Sequence, residues 1–408
     1  MHINISKVNF KSVGINIAKV DFGRYDSGGV EYYGMYVTPA SDSAISVTPN
    51  NSYYTLHGKY LKYSFDGKNW NYLDSSVTIE PRQKMYLKGE DDYVWNSSTS
   101  GKLITTSGHY NVGGDISSLT NEIVEVKNYT FYKLFNGDNY IKDASNLILP
   151  ATTLSNNCYG DMFNGCTSLT TASELPATKL SINCYYNMFN GCTSLTTAPA
   201  LQATTLASYC YSGMFSGCTS LTTAPALPAT TLSNHCYRSM FSGCASLATA
   251  PALPATSLTN ECYHAMFQGC TSLTTAPELP ATTLGPWCYY GMFQNCTSLT
   301  KAPALPATTF TSGCYSNMFS GCSLLNAAPK LHATTLTAYC YQNMFYNCSN
   351  LNSITMLATD ISASNCLNNW VSGVASSGTF TKAAEMTSLP TGTSGIPEGW
   401  TVVDYGAA

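Results

Sequence analysis

The chain has 408 residues, 44% of them hydrophobic and only 10% charged, with a formal charge of −4. That balance excludes a strongly basic nucleic-acid surface. No run of 18 apolar residues occurs, so no membrane span and no membrane insertion is expected. Charge is unevenly spread: residues 1–150 hold 29 of the 42 Asp, Glu, Lys and Arg, and residues 151–360 hold nine, which places a domain boundary near 125–150.

The opening "MHINISKVNFKSVGINIAKV" alternates polar and apolar residues and lacks a continuous apolar stretch with a small-residue cleavage site. It is not expected to act as a secretory signal. Residues 1–30 read as a short β region or an extended arm that docks on something else. Residues 31–125 are rich in tyrosine and alternating apolar runs, with an Asp-Gly turn at 66–67 between strand-like segments. Several strands at short spacing predict a small Ig-like β-sandwich. Its acidic "GEDDY" (89–93) is either a solvated loop or a set of calcium ligands, and we assign no metal or other cofactor from it.

From residue 126 to 376 the chain repeats itself. Cys158, Cys184, Cys210, Cys236, Cys262, Cys288, Cys314, Cys340 and Cys366 stand 26 apart, and a second series runs Cys166, Cys192, Cys218, Cys244, Cys270, Cys296, Cys322 and Cys348. Such strict spacing predicts a solenoid in which each coil contacts its neighbours. In the coil at 149–175, "LPATTL" reads as a strand start and Ser155 as a helix N-cap. Cys158, Tyr159, Met162, Phe163 and Cys166 then recur at helical period, which predicts a helix over 156–164. Gly165 and its counterparts suit a left-handed residue closing that helix. "TSLTTAP" reads as a second short strand, paired in parallel from coil to coil. The overall expectation is an α+β chain: a β-sandwich followed by a right-handed αβ solenoid of leucine-rich type, curved because helices are wider than strands. Residues 133–154 form a starting cap coil with Asp138 in a cysteine's place. Residues 377–408 form the closing cap, with Trp370, Val371 and Val374 replacing the last coil's Met, Phe and Cys.

Seventeen cysteines demand an explanation. A C-x7-C spacing fits no usual zinc pattern, and no histidine recurs beside them as a thiol's base. Pairing along a column would leave one of nine unpaired. The cysteines are therefore expected to be free and to pack as small apolar core residues.

The segment "MFxGCTSLTTAPxLPATTLxxxCY" resembles the repeats of BspA-like leucine-rich-repeat surface proteins of gut Bacteroidetes and of their phages. There the repeats often follow a β-sandwich with a "YSxDGxxW" segment, here Tyr63–Trp70. The resemblance covers about residues 55–405. It implies adhesion or receptor binding rather than chemistry. Bacterial members carry a signal peptide, so the expectation here is a virion protein assembled in the host cytoplasm, with the bacterial cell surface as the alternative.

Where the core is invariant, the informative positions are those that vary between coils. The columns of 157 and 160 supply Tyr186, Tyr209, Arg238, His264, Trp287, Tyr290 and Tyr339, expected on one outer face. Tyr, Trp and Arg are the usual anchors of interfaces, and flat rings also stack on sugar faces; neutral drift at solvated positions would produce variety too. The partners expected are a host surface glycan or protein through this face, other virion proteins through the amino-terminal region, and further copies of the chain if the particle uses it as an oligomer. A structural role in the virion, as fibre or capsid decoration, is the competing expectation. Catalysis is not expected: the acids of the repeat are scattered, and His2, His57, His109, His235, His264 and His332 cluster nowhere in sequence.

Overall fold

The structure is a computed structural model that describes residues 34–50, 61–89, 102–120 and 126–406. The expected arm at 1–30 and the acidic residues 90–93 lie outside the described residues.

The amino-terminal strands are β1 (Tyr36–Pro39), β2 (Ile45–Pro49), β3 (Leu61–Ser64), β4 (Asn71–Tyr72), β5 (Val77–Ile79), β6 (Met85–Gly89), β7 (Ile104–Thr106) and β8 (Tyr110–Asp115). They form a sheet β4-β3-β6-β1-β8 and a smaller one β5-β2-β7, paired antiparallel throughout. Alternation in β2 buries Ile45 and Val47 beside Val37, Ile79, Leu87 and Val112, the two-layer arrangement expected of a sandwich. Between β3 and β4 the expected Asp66–Gly67 turn forms. Gly67 has φ +71°, and Asp66 accepts the Lys68 and Asn69 amides at 2.8 Å. These bonds hold its carboxyl well below the usual carboxylate range.

The larger sheet does not stop at the sandwich. β9 (Ile141–Ile148) of the first coil joins β8 in parallel and passes the ladder on through an Asp143–Thr171 bridge. Beneath this junction Asp138 is fully buried. It accepts the Tyr110 hydroxyl at 2.9 Å and the Tyr140 amide at 3.0 Å, and pairs with the Lys102 ammonium at 3.1 Å. A carboxylate here, where later coils carry cysteine, ties the first coil to the sandwich.

The repeat contains no helix among the described residues, which corrects the expected segment 156–164. Asn157 (+62°), Tyr159 (+58°), Asp161 (+51°) and Gly165 (+73°) have positive φ, the sign expected at the third residue of a type II turn. The Cys158, Gly160, Met162 and Asn164 amides donate three residues back, at 3.1–3.4 Å. The Asn157, Asp161, Phe163 and Gly165 amides instead donate to the Ile182, Tyr186, Met188 and Asn190 carbonyls of the next coil at 2.7–2.9 Å. This segment of the coil is thus a run of overlapping turns, and four of these eight amides form a ladder to the next coil. Ser155 is no helix cap; its carbonyl accepts the first turn's Cys158 amide.

Spacing explains the difference. Strands in a ladder lie about 4.8 Å apart, and a helix with its side chains is about 10 Å wide. Ring centroids of successive coils lie 5.2–6.3 Å apart, too close for stacked helices. Turns match that step, and the inter-coil bonds offset left-handed strain of about 1–2 kcal/mol per residue. The width difference behind the expected curvature is absent. The "TSLTTAP" and "LPATTL" strands reduce to single parallel bridges such as Thr197–Thr223, Thr249–Thr275 and Thr205–Thr231. Pro199, Pro225 and Pro251 follow two residues on and have no amide to extend them.

The core agrees with the sequence. Phe135, Phe163, Phe189 and their successors to Phe345 stack at 5.2–5.8 Å within 18° of parallel. A second stack runs from Phe131 through Tyr159 and Tyr185 to Tyr341 and ends on Trp370. All seventeen cysteines are free and buried. They do more than fill space. Each second-column thiol donates to the phenylalanine carbonyl one coil back, from Cys166 on Phe135 to Cys348 on Phe319, at 3.0–3.1 Å. First-column thiols also donate to backbone carbonyls one coil back, at Cys158 on Lys127, Cys184 on Ser155 and Cys210 on Ser181. Here the Tyr185 and Tyr211 amides donate backward, to Cys158 and Cys184; from Tyr237 onward the equivalent amides donate forward.

The far end closes with β10 (Ser353–Met356), β11 (Thr379–Lys382) and β12 (Thr401–Asp404) in one parallel sheet. Trp370 Nε1 donates to the Gly395 carbonyl at 2.9 Å and Trp400 Nε1 to Ala375 at 2.7 Å, so the tail covers the last core layer.

Candidate functional site

The turn segments place the variable columns at 157 and 160 along one side, but not as a freely exposed ridge. Tyr186, Tyr209, Arg238, His264, Trp287, Tyr290 and Tyr339 are all half-buried, and Gly160, Ser212 and Ser316 of the same column are buried. Six of the seven named residues join one contiguous patch. Tyr209 stacks on His235 at 4.4 Å and His264 on Tyr290 at 4.5 Å. Tyr290 meets Trp287 edge-on at 5.8 Å, and Trp287 reaches Tyr339, two coils on, at 5.9 Å. Tyr186 stays apart, beside Tyr132, whose hydroxyl is pushed up to about 12 by burial and by the Asp161 carboxylate.

Glu261 holds the patch together. Its Oε2 accepts Arg238 Nη1 at 2.6 Å, and His235 Nδ1 and His264 Nδ1 lie 3.4 and 3.6 Å from the same oxygen. Neither imidazole Nδ1 has a hydrogen-bond partner among the described residues. Burial, followed by the Arg238 charge, pulls His264 down to about 4 despite Glu261, so its ring is neutral at physiological pH. The Arg238–Glu261 pair is partly solvated and carries no net charge; it orients the patch more than it stabilises the fold.

Trp287 crosses its neighbouring coil because Gly313 is there. A Cβ at Gly313 would lie 2.2 Å from Trp287 Cε3 and 2.3 Å from Cζ3. Only glycine lets the indole lie across this backbone, and φ +62° at Gly313 adds a second reason. Asn295 over Gly321 repeats the relation elsewhere.

Sequence reasoning passed over His235, Glu261 and Gly313 as members of the site. A signal existed. Glu261 is one of nine charges in 210 residues and stands 23 positions from Arg238, one coil less one turn. A second feature lies on the bridge side: a groove of about 590 Å³ lined by Ser173, Glu174 and Gln202 among threonines, alanines and prolines. These three replace the repeat's usual Pro, Ala and Pro. Among the described residues no group of His, Cys, Asp and Glu is arranged to hold a metal ion, and no helix is long and apolar enough to cross a membrane.

The family of the BspA type leucine rich repeat region matches in six copies, over residues 140–274 and 289–382, more than half of the chain. The chain belongs to the BspA-type leucine-rich repeat family. No curated protein and no solved structure matches it. In this BspA-type chain the Leu169, Leu195, Leu221 series is buried in every coil. The repeats point to a protein-binding, adhesin-like role.

Proposed function

We propose that this BspA-type protein is a non-enzymatic adhesin that engages a macromolecule of a host cell surface, protein or glycan, through the patch from Tyr209 to Tyr339. The observation that carries this reading is the contrast between layers. Identical Cys, Tyr, Met, Phe and Leu positions repeat beneath, while the residues above differ from coil to coil and still make one connected set of rings around an Arg–Glu pair. Half-buried aromatic and arginine side chains are where interface energy concentrates. The non-enzymatic reading is supported by the thiols, which burial keeps protonated, and by Glu261, which Arg238 already engages.

The particle assignment rests on the resemblance of the repeat and of Tyr63–Trp70 to phage-encoded proteins. In this reading the chain is a receptor-binding component of a virion, such as a tail fibre, and its sandwich end holds it to other virion proteins. Gold labelling of particles and of cell envelopes with an antibody to the chain separates this from a bacterial surface location. For the patch, the test is binding of the purified full chain to host cells. Trp287→Ala combined with Tyr290→Ala is expected to weaken it by about 30-fold or more, the scale of hot-spot truncation. Cell binding unchanged in the double variant would remove the patch from the function. Failure of the whole chain to bind cells would favour a structural virion role.

A further inference from the structure

The patch has the construction of a sugar site, and we propose that it binds a neutral pyranoside, with Trp287 as the stacking platform and the Arg238–Glu261 pair as the hydroxyl reader. This rests on the adhesin reading and names its ligand class.

Three observations converge. First, the indole of Trp287 is held across the backbone of Gly313, with Tyr290 against it at 61° and Tyr339 tilted by 33°. Neither ring lies parallel to it, and among the described residues no aromatic ring is stacked parallel on the indole. A flat ring fixed in this way suits the C–H face of a pyranose, which is apolar and rigid and loses little freedom on binding. Second, hydroxyl readers adjoin the platform. Arg238 is 41% exposed and retains further N–H donors. Glu261 Oε1 accepts no hydrogen bond among the described residues, which leaves it for a ligand hydroxyl. A donor and an acceptor side by side match neighbouring hydroxyls of one sugar, in which each oxygen both donates and accepts. Third, the charges offset each other, and neutral His264 lies between the pair and Tyr290. An acidic sugar would meet Glu261, and a basic one Arg238. Glu261 and Trp287 stand 26 positions apart, so the reader and the platform lie on neighbouring coils.

The test uses the purified full chain against an immobilised panel of neutral, sialylated and amino-sugar oligosaccharides, alongside binding to host cells before and after periodate oxidation. Wild type is expected to bind neutral members of the panel and to lose cell binding after periodate. Trp287→Ala should lose about 30-fold in affinity. Gly313→Ala keeps every aromatic residue but displaces the indole, and should lose at least ten-fold, on the order of a one-ångström misplacement in a preorganised site. Glu174→Gln, in the bridge-side groove, should bind as wild type. Melting curves establish that each variant is folded, and Trp287→Ala alone decides should Gly313→Ala not fold. Cell binding that survives periodate, with no glycan bound, overturns the sugar assignment and leaves the adhesin reading standing. Preference for sialylated members, or undiminished glycan binding by Trp287→Ala, also overturns it. Glycan binding without any binding to cells would instead keep the sugar site and remove the adhesin role.

Discussion

Raising the pH to about 10 and beyond is expected to unfold the solenoid, although the protein carries no unusual surface charge. The cause is the thiol columns. Burial pushes Cys158, Cys244, Cys262, Cys340 and Cys348 up to about 12. Burial also raises other thiols of the columns, among them Cys218 and Cys296. In the unfolded chain a thiol ionises near 8.5. Between those values the folded state holds protons that the unfolded state has released, so stability is full below about 8.5 and is lost as pH rises toward 12. Each thiol costs about 1.4 kcal/mol per pH unit in that window. At pH 10 five thiols alone would remove roughly 7–10 kcal/mol, comparable with the ~5–15 kcal/mol net stability of an ordinary domain. Urea midpoints at pH 7, 9 and 10 should fall steeply. A midpoint constant to pH 11 would show that the thiols are not buried as protonated groups.

Replacing Phe241 by Ala, in the middle of its stack, should destabilise the protein by about 3–5 kcal/mol. The ring is fully buried, with Phe215 at 5.8 Å on one side and Phe267 at 5.7 Å on the other, within 7° of parallel. The turn backbone around it is pinned by inter-coil bonds, including Phe241 N–H to the Met266 carbonyl at 2.9 Å, so the cavity cannot close without breaking the ladder. In a solenoid stability is a sum over neighbouring interfaces, and this substitution weakens two of them. Tyr346→Ala, at a ring 40% exposed, should stay within about 0.5 kcal/mol. Chemical denaturation of both variants checks the pair; equal, small effects would mean that the phenylalanine column does not hold the coils together.

The sequence made the period and the buried columns legible because each is a pattern along the chain. The left-handed positions were legible too: Gly165, Gly191 and Asn295 all have positive φ. What a single coil could not reveal was the destination of its amides. Cys158, Tyr159, Met162, Phe163 and Cys166 form an apolar stripe in a helix, and a run of turns buries the same five residues. The choice depends on the distance to the next coil, which no local pattern carries. The same holds at the site. The columns that supply Arg238 and Trp287 could be read from the repeat. Arg238 meeting Glu261, and the indole of Trp287 lying across Gly313, are contacts between coils whose register only the backbone ladder sets.

The decisive measurement is thiol accessibility in the native protein at neutral pH, followed by mass spectrometry after a maleimide pulse. The sixteen thiols of the complete coils should remain unlabelled, Cys366 at the end of its column should react first, and all seventeen should react once the chain is denatured. Rapid native labelling across both columns, or masses showing sulfur–sulfur bonds or a retained metal ion, would contradict a core built on free, hydrogen-bonding cysteines.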